Sequence, residues 1–368
     1  MGAEFESNAN FRRVVDAAAL APSAENTQPW RFLLHGDRLT VCLDGARQLE
    51  SDVDHMLDLT SLGACIENAV IACREMGREP QIRYLLDADE LTAPSDAIPI
   101  AELSLGQLTD ADPLFESLGK RCTSRRMDAA RPVEGSTLAK LTTASAGYSV
   151  QVDWITDRRQ VRCLSALVGL GNRIRFEHRP FHAEFYRNIR LDSQAANRTR
   201  DGLDVATLQL PFGQPMILRL MQAWRLVQLG NCFGFSRAVE RQGRKETLGS
   251  GALGILSVAS RKPHDFLQGG RVLERVWLNA TALGLGLHPA ASLPVFLAYA
   301  NHPASRTLSR RHRRLVAEMK ARFEGCLPHL RGRTIQMLFR LGYAEPPKMR
   351  SLRRPVDELQ TICTRKAS

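Results

Sequence analysis

The stretch that decides the fold runs from residue 17 to residue 34, AAALAPSAENTQPWRFLL. Upstream, residues 11–20 set Val14, Val15 and Ala18 on one helical face. Pro22 stops that helix, because its ring clashes with the preceding turn and it lacks an N–H. Ser23 and Asn26 then fall in a turn, where short polar side chains lie beside exposed backbone N–H groups. Donors and acceptors together suit a ribityl chain or a uracil-like ring edge. Pro29 stiffens the exit, and Trp30 opens a strand that it can anchor in a core.

Residues 31–34 and 39–43 are β-like and flank His35-Gly36-Asp37-Arg38, a hairpin signal. A helix over 57–76, closed by Gly77, and a strand over 81–86 follow. Residues 91–112 mix short apolar runs with turn residues. Further helices are expected at 137–143, 158–175, 270–283 and 307–323, and strands at 149–155, 251–258 and 336–341. Pro211, Gly213 and Pro215 break the region 198–224. The segment 210–248 is read as an excursion or lid.

One helical pattern recurs. GACIENAVIACREMG, from Gly63, and GRVLERVWLNATALG, from Gly270, match at an offset of 207 residues in Gly63/Gly270, Glu67/Glu274 and Gly77/Gly284. Ile66/Leu273, Ala69/Val276 and Ile71/Leu278 repeat the apolar pattern. Two amphipathic helices ending in glycine can look alike by chance; a fused pair of related domains would preserve a twofold interface.

The chain has 368 residues, 44% hydrophobic and 24% charged, a globular profile. Its charge of +11 and pI of about 9.6 favour an anionic partner: a phosphorylated cofactor, nucleic acid or an acidic membrane face. The eight cysteines form no C-x-x-C pair, so a reducing cytoplasm fits best. Residues 1–7 carry no secretory pattern and read as a remnant added in cloning, outside the fold. Residues 276–305 lack Lys, Arg, Asp and Glu, but Gly284, Gly286, Pro289 and Pro294 interrupt them. A buried helix followed by a loop is expected there, not a membrane span.

Several segments can carry chemistry. KRCTSRR, residues 120–126, combines four cations with two hydroxyls and suits a phosphate monoester, or is a solvated basic turn. LGLGLHPAASLP, residues 283–294, is small enough for backbone N–H groups to approach a planar ring, or is a plain tight turn. Arg350, Arg353 and Arg354 either close over a phosphate or coat a tail. The basic residues 309–322 lack interleaved aromatics, so a solvated helix face is preferred to nucleic-acid binding. His178 and His182 lie four apart without a metal motif. No G-x-S-x-G elbow and no G-x-G-x-x-G after a strand occurs.

Ala21-Pro22-Ser23, Asn26 and Gln28-Pro29-Trp30-Arg31-Phe32 resemble the A-P-S-x-x-N-x-Q-P-W-x-F pattern of the nitroreductase superfamily of flavin enzymes. Ala282-Leu283-Gly284-Leu285-Gly286, and Leu341-Gly342-Tyr343 followed by Arg353-Arg354-Pro355, add support. Family members commonly open with an R-R-S-x-R-like phosphate motif; here Arg121-Cys122-Thr123-Ser124-Arg125 comes about a hundred residues after the A-P-S segment. That order is similar to Acg-type single-chain members, in which two diverged halves imitate the usual dimer.

The resemblance implies an α+β nitroreductase-like fold with antiparallel-rich sheets flanked by helices, divided into halves at 8–118 and 119–359. It implies one FMN per chain, since the A-P-S segment occurs once. Arg121, Thr123 and Arg125, helped by Arg353, would hold the phosphate, with Cys122 in place of a common arginine. Pro22, Ser23 and Asn26 would arrive from the other half, and the backbone at Pro289, Ala290 and Ala291 would face the isoalloxazine ring with an N–H toward N5. NAD(P)H or a substrate would be the reductant and a small molecule the acceptor. Flavin storage under the 210–248 lid, and a partner-dependent flavin dehydrogenase docking a protein through residues 309–322, are the alternatives. No catalytic side chain, metal, nucleic acid or membrane is assigned, and the chain is expected to be a monomeric pseudo-dimer or a higher oligomer.

Overall fold

The computed structural model describes residues 2–86, 91, 97–129 and 131–362, with backbone only for 2–9 and 362. Met1, Cys363 and part of the 91–112 stretch lie outside the described residues.

Helix α1 spans Gly2–Ala18. It takes in residues 2–7 of the stretch set apart at 1–7. Strands β1, Trp30–His35, and β2, Arg38–Leu43, form the expected hairpin, with Gly36 at φ +60° in its two-residue turn. Helix α2, Met56–Glu75, stops at Gly77, whose φ of +73° gives the left-handed exit that glycine allows at least cost. Strand β3 is Arg78–Tyr84 and β4 is Ile98–Leu108. The sequence reading missed β4 because Pro99 and Gly106 look like breakers. Pro99 sits where the register with β2 shifts, a place where a strand tolerates proline.

Helices α3, Phe115–Leu118, and α4, Gly135–Thr142, lead to β5, Val150–Ile155. Then follow α5, Arg158–Glu177, α6, Arg179–Asn188, the short β6, Ile189–Arg190, α7, Ser193–Thr199, and β7, Leu203–Asp204. The expected lid resolves into α8, Gln214–Leu220, α9, Trp224–Cys232, and α10, Phe235–Leu248. Of these, α10 packs tightly on α5: a Cβ on Gly169 would lie 2.5 Å from Glu240 O, and one on Gly243 would lie 2.3 Å from Asn172 Nδ2.

Strand β8 is Ala252–Val258, and helix α11, Pro263–Ala282, starts seven residues before the repeat suggested, with proline in its first turn. Strand β9, Leu285–Pro289, lies in the stretch expected to be a loop; its glycines and lack of β-branched residues hid it, and pairing with its neighbour defines it. Helices α12, Ser292–Tyr299, and α13, Arg310–Cys326, strand β10, Thr334–Tyr343, helix α14, Val356–Leu359, and strand β11, Gln360–Ile362, complete the chain.

The fold is α+β, as expected. One sheet runs β11-β1-β2-β4-β3, antiparallel except for the β1/β11 edge; a second runs β5-β8-β10-β9, antiparallel throughout; and β6 and β7 pair in parallel as a small third. The C-terminal strand therefore returns to the sheet of the N-terminal half. Between the sheets α2 crosses α11, and α2 is buried from Met56 to Cys73. Among the described residues, the segment Val53–Glu75 alone is long and apolar enough to cross a membrane, and it is fully buried in this core.

The helix crossing turns on the two matched glycines. A Cβ on Gly63 would lie 2.2 Å from Leu267 O, and one on Gly270 would lie 2.2 Å from Thr60 O. These contacts exchange under the same offset of 207, since Leu267 stands to Thr60 as Gly270 does to Gly63. Beside them Glu67 receives Arg271 Nε and Arg275 Nη1, each at 2.7 Å, so the buried carboxylate is paired across the helices.

Candidate functional site

A cavity of about 500 Å³ opens beside this crossing, lined by residues drawn from Leu20 to Arg353 along the chain. Pro22, Ser23, Asn26, Arg121, Thr123, Arg125, Pro289, Ala290, Ala291 and Arg353 all reach its wall.

The A-P-S turn is built from strained backbone. Glu25, Asn26 and Gln28 hold φ of +52°, +56° and +53°, a region that costs non-glycine residues energy and persists only when surroundings enforce it. The enforcement is visible. Gln28 N donates to Ser23 Oγ at 2.9 Å, and Asn26 Nδ2 donates to Gly202 O at 2.9 Å and Leu352 O at 3.2 Å. Gln28 Nε2 donates to Arg200 O, and Arg354 N to Gln28 Oε1. Trp30 is fully buried, as its anchoring role required. The amide of Asn26 is thus spent on bracing the turn, a use its sequence position did not reveal.

The KRCTSRR segment lies beside β9, joined to it through one isolated parallel bridge. Thr123 bridges Leu287, and Ser124 N donates to Leu287 O at 3.0 Å. Arg121, Cys122, Thr123 and Arg125 all reach the cavity wall, while Ser124 faces Gly286. Gly286 serves this contact: a Cβ there would lie 2.5 Å from Ser124 Cβ. The small residues of this stretch therefore admit a serine side chain.

The arginines divide into two groups. Arg121 Nη2 donates to Leu20 O at 2.7 Å, with its Nε 3.1 Å from Glu274 Oε1. Arg353 donates to Ala21 O and Asn26 Oδ1, each at 2.9 Å, and its buried Nε has no protein partner. Burial, then the neighbouring Arg121, pulls the Arg353 guanidinium down to about 9. Burial raises Glu274 to about 7 despite both arginines.

At the other group Arg125 Nη1 donates to Thr207 O at 3.0 Å. Arg340 donates to Ser250 Oγ at 3.1 Å, Arg125 O at 3.2 Å and His288 Nδ1 at 3.0 Å. Burial lowers Arg125 to about 10 and drives His288 well below the usual imidazole range, with Arg125 and Arg340 adding to that push. Since guanidinium only donates, His288 Nδ1 accepts and the proton of the neutral ring sits on Nε2. Glu246 of α10 is the acid whose field acts on both arginines. His288, Arg340 and Glu246 escaped the sequence reading.

Of the three residues expected to offer backbone to a ring, Pro289 has no N–H and Ala290 N donates to Leu338 O at 2.7 Å. The N–H of Ala291, the N-cap of α12, is the one left for a ligand. Opposite, Arg175 pairs with Glu25, and Glu184 accepts from Ser51 N at 2.9 Å and from Ser51 Oγ. Deeper in this corner burial raises Asp52 to about 7 and holds Asp58 well above the carboxylate range. Gly243, Glu246 and Thr247 of α10 form a fixed wall, so the expected lid is in part packed structure.

The arrangement can take an elongated anionic molecule that also carries hydrogen-bonding edges. The family model described as "Putative TM nitroreductase" matches residues 2–58. The "Uncharacterized protein MT1398" of Mycobacterium tuberculosis is 25% identical over 345 residues, covering 93% of this chain and 47% of that protein. The "Putative NAD(P)H nitroreductase MT3217" of the same species is 26% identical over 170 residues, covering 45% of this chain and 48% of that protein. The chain spans about half the length of these curated relatives. Among solved structures, a nitroreductase with bound FMN from Bacteroides fragilis aligns at 10% identity and TM-score 0.35, covering 70% of this chain and 98% of the other. NfnB of Mycobacterium smegmatis, an FMN-dependent nitroreductase in complex with NADPH, aligns at 14% and 0.38, covering 68% and 97%. The family model and the sequence relatives support the nitroreductase superfamily.

Proposed function

We propose that the chain binds one FMN in this cavity and acts as a nitroreductase-type oxidoreductase, passing hydride or electrons from NAD(P)H or a reduced substrate to a small-molecule acceptor. The observation that carries this reading is a cavity wall with arginines in two groups, the buried Arg121 with the half-buried Arg353 and the buried Arg340 with the half-buried Arg125, each group faced by a single acid. Guanidinium groups depressed to about 9 and about 10 are short of negative charge, which a phosphate or an anionic ring supplies. Arg121, Thr123 and Arg353 would hold the phosphate end. Arg125 and His288 Nε2 would donate to ring carbonyls, and Ala291 N–H would hydrogen-bond the ring. Bound FMN supplies the redox chemistry; the protein orients it and sets the field around it.

The reciprocal Gly63/Gly270 contact supports two fused, diverged halves of the Acg type. A second reading is flavin storage, favoured by the fixed α10 wall. Mixing the FMN-loaded protein with NADPH separates the two. Bleaching of the flavin absorbance, with turnover of a nitroaromatic or quinone, supports the enzyme. Flavin that stays oxidised under excess NADPH but reduces with dithionite supports storage, and protein that takes up no FMN overturns both.

A further inference from the structure

From Val205 to Val239 the chain carries no Asp or Glu and three arginines, Arg219, Arg225 and Arg237, all exposed. The same segment presents the main exposed apolar surface among the described residues. Phe212 is fully exposed, Phe233 is 85% exposed and Met216 70%. Met216 and Leu220 lie one turn apart on α8, and Leu226, Leu229 and Phe233 follow at helical spacing on α9 and its C-cap.

This surface is not waiting to close onto the rest of the molecule, because its inner side is already fastened. Tyr186 Oη donates to Leu218 O and His182 Nε2 meets Met221 O, each at 2.8 Å, while Asn231 Nδ2 donates to Phe176 O at 2.9 Å. Trp224 packs on the His182 ring at 5.1 Å, and Val227 is fully buried.

We infer that α8 and α9 form a docking face for an anionic lipid bilayer. Exposed Phe, Leu, Ile and Met beside arginines, without a carboxylate, is the composition of a helix that lies in the headgroup region. Anionic lipid attracts such cations, and burial of the apolar side chains adds to that attraction. A second copy of the chain fits less well: a twofold contact would set the same arginines against themselves with no acid from this segment to meet them.

The test is flotation of the full chain with vesicles of phosphatidylcholine containing one-third phosphatidylglycerol, and with phosphatidylcholine alone. The expected result is co-flotation with the anionic vesicles that weakens as salt rises, and at least about tenfold less with the neutral ones. Met216→Glu with Leu229→Glu removes binding while the far-UV circular dichroism and Tm stay unchanged, because both side chains are exposed. No co-flotation with anionic vesicles, or co-flotation indifferent to the double substitution, overturns the inference. A dimer in solution that the double substitution dissociates also overturns it, since the face would then be a contact between copies.

Discussion

Arg125 and Arg340 dominate the electrostatics of this end of the cavity, because the half-buried Arg125 and the buried Arg340 lean on main-chain carbonyls, a serine and a histidine, with Glu246 the acid near them. Truncating a charge-assisted hydrogen bond costs about 1.5–3 kcal/mol, so Arg125→Ala should weaken FMN binding by roughly ten- to a hundredfold in a fluorescence titration. Glu274 gives a pH prediction. Its folded-state value of about 7 exceeds the ordinary 4.5, so between those values the folded chain holds a proton that the unfolded chain has lost. Stability should fall as pH rises from about 4.5 to about 7. Asp52, raised from 3.8 to about 7, acts in the same direction. Tm measured across this range should decline less steeply in Glu274→Gln than in the parent.

All ten site residues read from the sequence reach one cavity wall because their signals are local: a proline-stopped helix, a polar turn and a basic hydroxyl-rich run. Arg340 was missed because it lies within an apolar strand; a lone arginine in QMLFRLGY was the available sign. His288 and Glu246 are brought in by a strand hidden among glycines and by a helix read as lid, and only sheet pairing and the α5–α10 contact define those positions.

At the scale of elements, the α2–α11 crossing is the tightest joint at the centre of the core. The helix periods, the hairpin and the glycine repeat were legible, since each is a short-range pattern. Strand β4 was not, because its proline is tolerated only where its partner shifts register. The crossing has no room for a methyl group on either glycine. Gly270→Ala, with its Cβ 2.2 Å from Thr60 O, should destabilise the protein by about 1–3 kcal/mol or more, read by urea denaturation. Gly325→Ala on α13, where nothing lies within 4 Å of an added Cβ, should not destabilise.

At the scale of the molecule, the two larger sheets flank one helix pair, and the strand β11 pairs with β1 at the edge of the sheet of β1 to β4. The strained turn at Glu25, Asn26 and Gln28 is braced by the 200–202 segment and by residues 352–354, so this part of the cavity wall depends on contacts far apart in sequence. The A-P-S turn and the Arg121-to-Arg125 segment each occur once in the sequence, which supports the proposal of one binding site. The most direct measurement is equilibrium titration of the purified, flavin-free protein with FMN, followed by quenching of flavin fluorescence. The account predicts saturation at one FMN per chain, with affinity lost in Arg125→Ala combined with Arg340→Ala. Absence of saturable binding, or saturation at two per chain, would contradict it.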